Sequence, residues 1–261
     1  MTTPDPDEVL ARTQWDLFWL PQDATFVDRP ELLALTCPRD QLFLNAVVRT
    51  RGPRDRLPAL VEEVSTLHAG RRSRWTVGPL EPVAELERAL SEGGYGRGDE
   101  HDGYSIATDA LPARPARGIT TRAVADMDDL VAWLEVVGRA FGEVRIGPMA
   151  ELEQDLAACT GPQSRVHRVI ACDADSGTPL SGGGLTLFPS LSFGLLWAGG
   201  TVPEGRGRGA YSAVLAARAA FARARGIDRV GLFARIHSSG PIVAAQGFQR
   251  HGRTTFWVRS A

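Results

Sequence analysis

The chain has 261 residues and a mass of 28.1 kDa, with 43% hydrophobic and 23% charged residues, the composition of a globular protein able to bury a full core. A formal net charge of -2 excludes a global field suited to nucleic acid or a membrane surface, and the lack of any lysine excludes a Schiff base. Three widely spaced cysteines, Cys37, Cys159 and Cys172, suggest neither a disulfide framework nor a CxxC metal site, and no metal ligand set is expected. The start MTTPDPDEVL does not read as a signal peptide and no apolar run reaches ~18 residues, so a cytoplasmic protein is expected.

Residues 1–14 read as a polar arm that starts a helix at Asp7-Glu8. Asp16 to Leu20 and Leu42 to Val48 are strand-like. Leu57, Leu60, Val61, Val64 and Leu67 repeat with helical spacing over 57–69. A short strand over 74–78 and a helix over 81–92, stopped by Gly93-Gly94, lead to a strand over 104–107. Ala110 to Gly118, with Pro112 and Pro115, reads as a linker dividing domains 1–112 and 118–261. Beyond it come a strand over 119–122, a helix capped by Asp126 over 127–141 and a helix over 149–159. A hairpin of 168–172 with 180–188 follows, then strand 193–202, helix 210–225, strand 229–235, helix 240–246 and strand 254–258.

The order strand, Pro/Gly/Arg loop, helix, strand, helix, Gly-x-x-Arg, strand occurs twice, once from 42 to 107 and once from 193 to 258, and reads as a divergent internal repeat. Two unrelated α+β pieces sharing a short rhythm would give the same pattern. The first copy has no R-x-x-G-x-G run, and Pro58 stands in its helix's first turn, so it is not expected to hold a second ligand.

The second copy carries the most informative stretch. An apolar strand passes through Val202-Pro203-Glu204 into Gly205-Arg206-Gly207-Arg208-Gly209, and an alanine-rich helix opens at Ala210. Glycines permit positive φ and close backbone approach. The first amides of a helix lack internal partners and carry the positive end of the dipole, so they bind anions, phosphate above all. Arg206 and Arg208 add planar forks for phosphate oxygens. A solvated glycine-arginine turn fits the same residues. A dinucleotide fingerprint, G-x-G-x-x-A from Gly205 to Ala210, is disfavoured because Val-Pro-Glu separates it from the strand and too few βα units follow.

The spacing of Thr201, Pro203, Arg206 and Gly209 resembles the central motif of the GNAT superfamily of acyl-CoA N-acyltransferases, V-x-P-x-x-R/Q-x-x-G-x-G/A. Threonine replaces the usual valine, and Tyr211 stands where the last glycine is frequent. Ser238 to Ile242 followed by Gly247-Phe248 resembles the family's second motif, and the likeness covers roughly residues 118 to 261. The resemblance implies an α+β fold, a mixed, mostly antiparallel sheet flanked by helices, here with a divergent N-terminal half-copy. It implies acetyl-CoA as cosubstrate, held by Gly199, Gly200, Thr201, Arg206, Gly207, Arg208, Gly209, Ala210, Tyr211 and Ser238. It further implies direct acyl transfer to a primary amine of a small molecule or peptide, with an oxyanion donor among the backbone N–H groups of Gly199 to Thr201. The family's tyrosine acid is replaced by Val243, and Ser192 to Val202 carries no carboxylate. Glu143, His237 and Tyr211 are therefore the candidate catalytic residues, each with a plainer reading as a solvated carboxylate, a surface histidine and a packing ring. An inactive acyl-CoA-binding regulatory module is the alternative, a nucleotide-binding oxidoreductase a more distant one, and either a monomer or a homodimer is compatible.

Overall fold

A computed structural model describes residues 4–111, 116–161 and 163–261; part of the expected linker, residues 112–115, lies outside the described residues. In chain order the elements are α1 (Pro6–Trp15), β1 (Thr25–Arg29), β2 (Leu32–Thr36), β3 (Ala46–Thr50), α2 (Leu57–Leu67), β4 (Ser73–Val77), α3 (Val83–Glu92) and β5 (Gly96–Ala107). There follow β6 (Ile119–Ala123), α4 (Met127–Phe141), α5 (Met149–Thr160), β7 (Val166–Asp173), β8 (Pro179–Phe188) and β9 (Phe193–Thr201). The chain ends with α6 (Ala210–Ala224), β10 (Arg229–Arg235), α7 (Ser239–Ala245) and β11 (Gln249–Arg259). Contacts group them into two compact units, one of Met1–Tyr104 with Phe233–Ala244 and Arg250–Ala261, the other of Ser105–Leu232 with Ala245–Gln249.

In the first unit the strands run in the order β1-β2-β3-β4-β11-β5. β1, β2 and β3 are antiparallel neighbours, β3 and β4 are parallel through Ala46↔Arg74 and Val47↔Trp75, and β11 is antiparallel to β4. Strand periodicity sends Leu32 and Ala34 to one face and Leu33 and Leu35 to the other, and both faces are covered. The first face packs under α2 and α3 through Leu60, Val64, Leu86 and Leu90, with Trp75 fully buried and edge-on to Tyr95. The second is covered by Trp15, Leu17 and Leu20.

That packing explains the one sequence expectation that fails outright. Residues 16–20 form a turn closed by Leu20 N–H to the Leu17 carbonyl at 3.1 Å. Leu17 and Leu20 go inward at a spacing of three while Phe18 and Trp19 stay exposed, and alternating strand geometry cannot deliver that. The strand expected over 42–48 starts only at Ala46, because Leu42 to Asn45 form a turn on the Gln41 carbonyl. The last strand is longer than expected, running from Gln249 to Arg259.

In the second unit the order is β10-β9-β8-β7-β6, with β6 to β9 antiparallel and β10 parallel to β9. α6 covers one face through Val214 against Val169, Ala171 and Leu180. α4 and α5 cover the other through Leu130, Trp133 and Leu152 against Ile170 and Cys172. α4 has the limits its local signals predict: the Asp126 side chain accepts from Asp129 N–H at 2.9 Å, and Gly142 ends it at φ 89°. The segments β3–α2–β4 and β9–α6–β10 thus share one design, a helical crossover joining two parallel strands.

Candidate active site

The second unit brings β9, the loop after it and the start of α6 together. β9 pairs with β10 only from Phe193↔Arg229 to Leu195↔Gly231. On its other side β9 keeps to β8, but the register shifts: Trp197 lies opposite Gly184 and Gly200 opposite Gly182. Ala198 and Gly199 therefore face Gly183 alone, which is a β-bulge, and Ala198 takes φ 49°. A left-handed alanine costs about 1–3 kcal/mol and persists where its surroundings enforce it.

After β9 the chain makes a tight turn over Pro203–Gly205, with Val202 N–H bonded to the Leu180 carbonyl at 3.0 Å and Gly205 N–H to the Val202 carbonyl at 2.9 Å. Gly207 at φ 72° and Gly209 at φ 81° carry the turn into α6. A Cβ on Gly209 would meet Ala116 Cβ at 2.9 Å, so both conformation and space require glycine there. Gly209 is the N-cap, and among the described residues no side chain caps the helix; its first bond is Ala213 N–H to the Gly209 carbonyl at 2.9 Å. The amides of Ala210, Tyr211 and Ser212 are thus the open donors at the positive end of a fifteen-residue helix. That arrangement fits a pyrophosphate. Arg206 is exposed and without an ion-pair partner among the described residues. Arg208 is bound to Asp173 at 2.5 Å, and that bond, with those from Ser176, holds the Asp173 carboxyl well below the usual range.

No family model matches the chain, and no curated protein sequence does. Solved structures do match. A GCN5-related N-acetyltransferase from Kribbella flavida is 17% identical over 96% of this chain and 95% of its own, with a TM-score of 0.72. A GCN5-related N-acetyltransferase from Sphaerobacter thermophilus is 17% identical over 98% and 94%, with a TM-score of 0.64. A tandem GNAT protein from the clavulanic acid biosynthesis pathway is 15% identical over 99% and 89%, with a TM-score of 0.62. The chain has the GNAT fold.

Within this GNAT fold, Gly199, Gly200, Thr201 and the residues Arg206 to Tyr211 all lie in the second unit, along the end of β9 and the entry to α6. Tyr211 faces the bulge: a Cβ on Gly199 would sit 3.0 Å from its ring and 3.7 Å from its hydroxyl oxygen. Gly200 faces the opposite side, against Ala140 and Phe141. Glu143 is exposed in the α4–α5 loop, its carboxylate held by Arg145 at 2.7 Å. His237 and Ser238 are exposed residues that group by contacts with the first unit; His237 acts electrostatically on Glu100, and Ser238 N–H bonds to the Arg235 carbonyl at 3.3 Å. Val243 is buried in α7.

One residue that sequence reasoning passed over stands beside the bulge. Arg218 on α6 is 1% exposed and hydrogen-bonds to carbonyls on both strands. Its only sequence signal is its position, an arginine on the buried stripe of Val214, Leu215, Ala219 and Ala222.

The related segment in the first unit is closed. Pro58 stands at the start of α2. Trp15 Nε1–H donates to the Val48 carbonyl at 3.1 Å, one residue beyond the last β3 residue paired with β4. The Glu81 carboxylate accepts from Gly78 N–H at 2.7 Å and from the Thr50 main chain. Burial pushes the Glu81 carboxyl up, and those backbone bonds oppose it. What space remains, lined by Leu10, Gln14, Val48, Glu81 and Thr254 among others, is about 40 Å³. That is room for a few waters at ~10–15 Å³ each.

Proposed function

We propose that the protein transfers an acyl group, acetyl being the expected one, from coenzyme A to a primary amine of a small molecule or peptide. The observation that carries this reading is the entry to α6: a positive-φ glycine at the N-cap, no capping side chain, and three open amides beside Arg206. On this reading the amides of Ala210 to Ser212 and Arg206 hold the pyrophosphate, and the free edge of β9 from Leu196 to Thr201 takes the amide-rich arm. The bulge at Ala198–Gly199 supplies backbone N–H groups to the oxygen that gains charge when the amine attacks. Tyr211, whose hydroxyl lies against the bulge, is the favoured proton donor to the departing sulfur among the three candidates; Glu143 is tied to Arg145. The exposed apolar run of Phe141, Val144, Ile146 and Met149 supports an acceptor with an apolar portion. The two domains are read as tandem copies of one fold, 1–112 without a cofactor loop and 118–261 with it. No described helix is long and apolar enough to cross a membrane, and we place the protein in the cytoplasm.

Titration of acetyl-CoA into wild type and Gly209→Trp by calorimetry tests the cradle. Micromolar binding that the variant loses is expected, and absence of binding by folded wild type overturns the reading. The buried Val243 and the absence of a carboxylate from β9 favour a second reading, an acyl-CoA-binding module without turnover. Release of free thiol with a panel of amines separates the two.

A further inference from the structure

Arg218 lies two turns after Tyr211 on the same face of α6, buried under the sheet. Its Nη1 donates to the Gly184 carbonyl at 2.8 Å and the Trp197 carbonyl at 3.3 Å, and its Nε to the Val214 carbonyl at 3.3 Å. Gly184 and Trp197 are register partners at the edge of the bulge, so one guanidinium ties β8 to β9 at the point where their pairing breaks. Its Nη2 is buried and has no hydrogen-bond partner among the described residues. That nitrogen points toward Gly199, where an added Cβ would lie 3.5 Å away. Gly183 is glycine for the same reason, since a Cβ there would come within 2.7 Å of the guanidinium.

Among the described residues no carboxylate pairs with this charge. β8 and β9 contain no ionisable side chain, and Arg122, the single one on β6, pairs with Asp129. On β7, His167 is pushed down to about 4 by burial and by the Arg218 and Arg225 cations, so it is neutral, and the group that acts on Arg218 itself is the Tyr211 hydroxyl. Asp173, at the end of β7, is engaged by Arg208. A buried cation with no carboxylate is expensive, and in a merely structural position an apolar side chain would pack at lower cost.

We propose that Arg218 is a positioning residue for the transfer reaction, holding the Ala198–Gly199 bulge in its left-handed form and leaving positive charge where the reacting oxygen becomes negative. The inference rests on the acyl-transfer reading above. The Trp197 carbonyl belongs to the same peptide as the Ala198 N–H. A cation on that carbonyl polarises the peptide and strengthens the amide as a donor. Attack of the amine lone pair on the acyl carbon moves the carbonyl π pair onto oxygen, where this donor and the free Nη2 charge act. The pair returns as the carbon–sulfur bond breaks, the sulfur leaves with its bonding pair and takes up a proton, and the nitrogen gives up the one proton that the neutral amide cannot keep.

The test compares wild type with Arg218→Met, similar in length and uncharged, and Arg218→Lys, by kinetics and by hydrogen exchange of the amides of residues 197–200. In Arg218→Met, kcat is expected to fall ~10- to 100-fold, since removal of one oxyanion donor costs ~10²–10³ and only its polarisation is lost here. KM for acetyl-CoA should hold within ~3-fold, because the loss is confined to the transition state. The bulge amides should exchange faster, and Arg218→Lys should recover part of kcat. A folded Arg218→Met with wild-type kcat, or with unchanged exchange at 197–200, overturns the proposal. If that variant does not fold, Arg218→Lys decides: one ammonium cannot fork to both carbonyls, so faster exchange and lower kcat are expected, and wild-type values in both overturn it. Failure of wild type to turn over acetyl-CoA counts against the transferase reading, while the exchange measurement still decides whether Arg218 organises the bulge.

Discussion

The segments β9–α6–β10 and β3–α2–β4 are built alike and end differently. Each joins two parallel strands that pair for only two or three residues. In the second unit the strand end carries glycines and a bulge, and the helix opens on an uncapped glycine. In the first, proline enters the helix start, an indole from α1 takes the strand's carbonyl, and a half-buried carboxylate takes the main-chain donors. The contrast teaches that topology creates such an opening whereas side chains decide whether it stays open. Unsatisfied backbone groups must find partners, either from the chain or from a ligand.

The largest effect is expected in the closed segment. Trp75 is fully buried and its indole N–H donates to Thr50 Oγ1 at 2.9 Å, so Trp75→Ala should cost ~3–5 kcal/mol of stability in denaturant unfolding. A loss below ~1 kcal/mol would show that this core is not what holds the segment shut.

Next comes a matched pair of bulky substitutions. Gly209→Trp should weaken acetyl-CoA at least ~100-fold by calorimetry, since it blocks the helix entry and forces a side chain into positive φ. Arg56→Trp, at the exposed N-cap of α2, should leave that affinity unchanged. Equal losses would erase the distinction between the loops.

A smaller effect is expected from Glu81→Gln. Burial raises the folded-state pKa of Glu81 above its ordinary 4.5, so the contribution of this group to stability is full below that value and is lost as pH rises through the folded-state pKa. The stability of the glutamine variant relative to wild type should therefore increase as pH climbs from 4.5. A difference that stays flat or falls would show that Glu81 is not the group closing this opening.

Smallest is Asp173→Asn, which frees Arg208 at the open site. Acetyl-CoA affinity at low salt should rise about two- to fivefold, the scale of an exposed ion pair, and the gain should fade with added salt. An affinity that drops would mean that Asp173 orders the loop.

Local signals in the sequence make much of this legible. Asp126 and Gly142 set the limits of α4, and the alanine-rich run after Gly209 sets α6, because caps and propensity act within a few residues. The repeated order of strand, helix and strand could be read in the sequence, whereas the parallel pairing of β3 with β4 and of β9 with β10 could not. Residues 16–20 have the composition of a strand yet form a turn, because Leu17 and Leu20 follow the surface they pack against and not an intrinsic period. Ala198 gives no hint of its positive φ, since that follows from the register shift of β9 on β8.

The sequence by itself determined the order of elements from residue 57 onward, the glycines and arginines of the loop before α6, and the absence of that loop from the first half, since each depends on residues close together in the chain; β1 and β2 carry no such local signal. Tertiary structure alone decided that Glu81 and Trp15 close one opening and that Arg218 reaches across β8 and β9 at the other. Those assignments rest on pairing register and burial, which join residues distant in sequence and which no local pattern encodes.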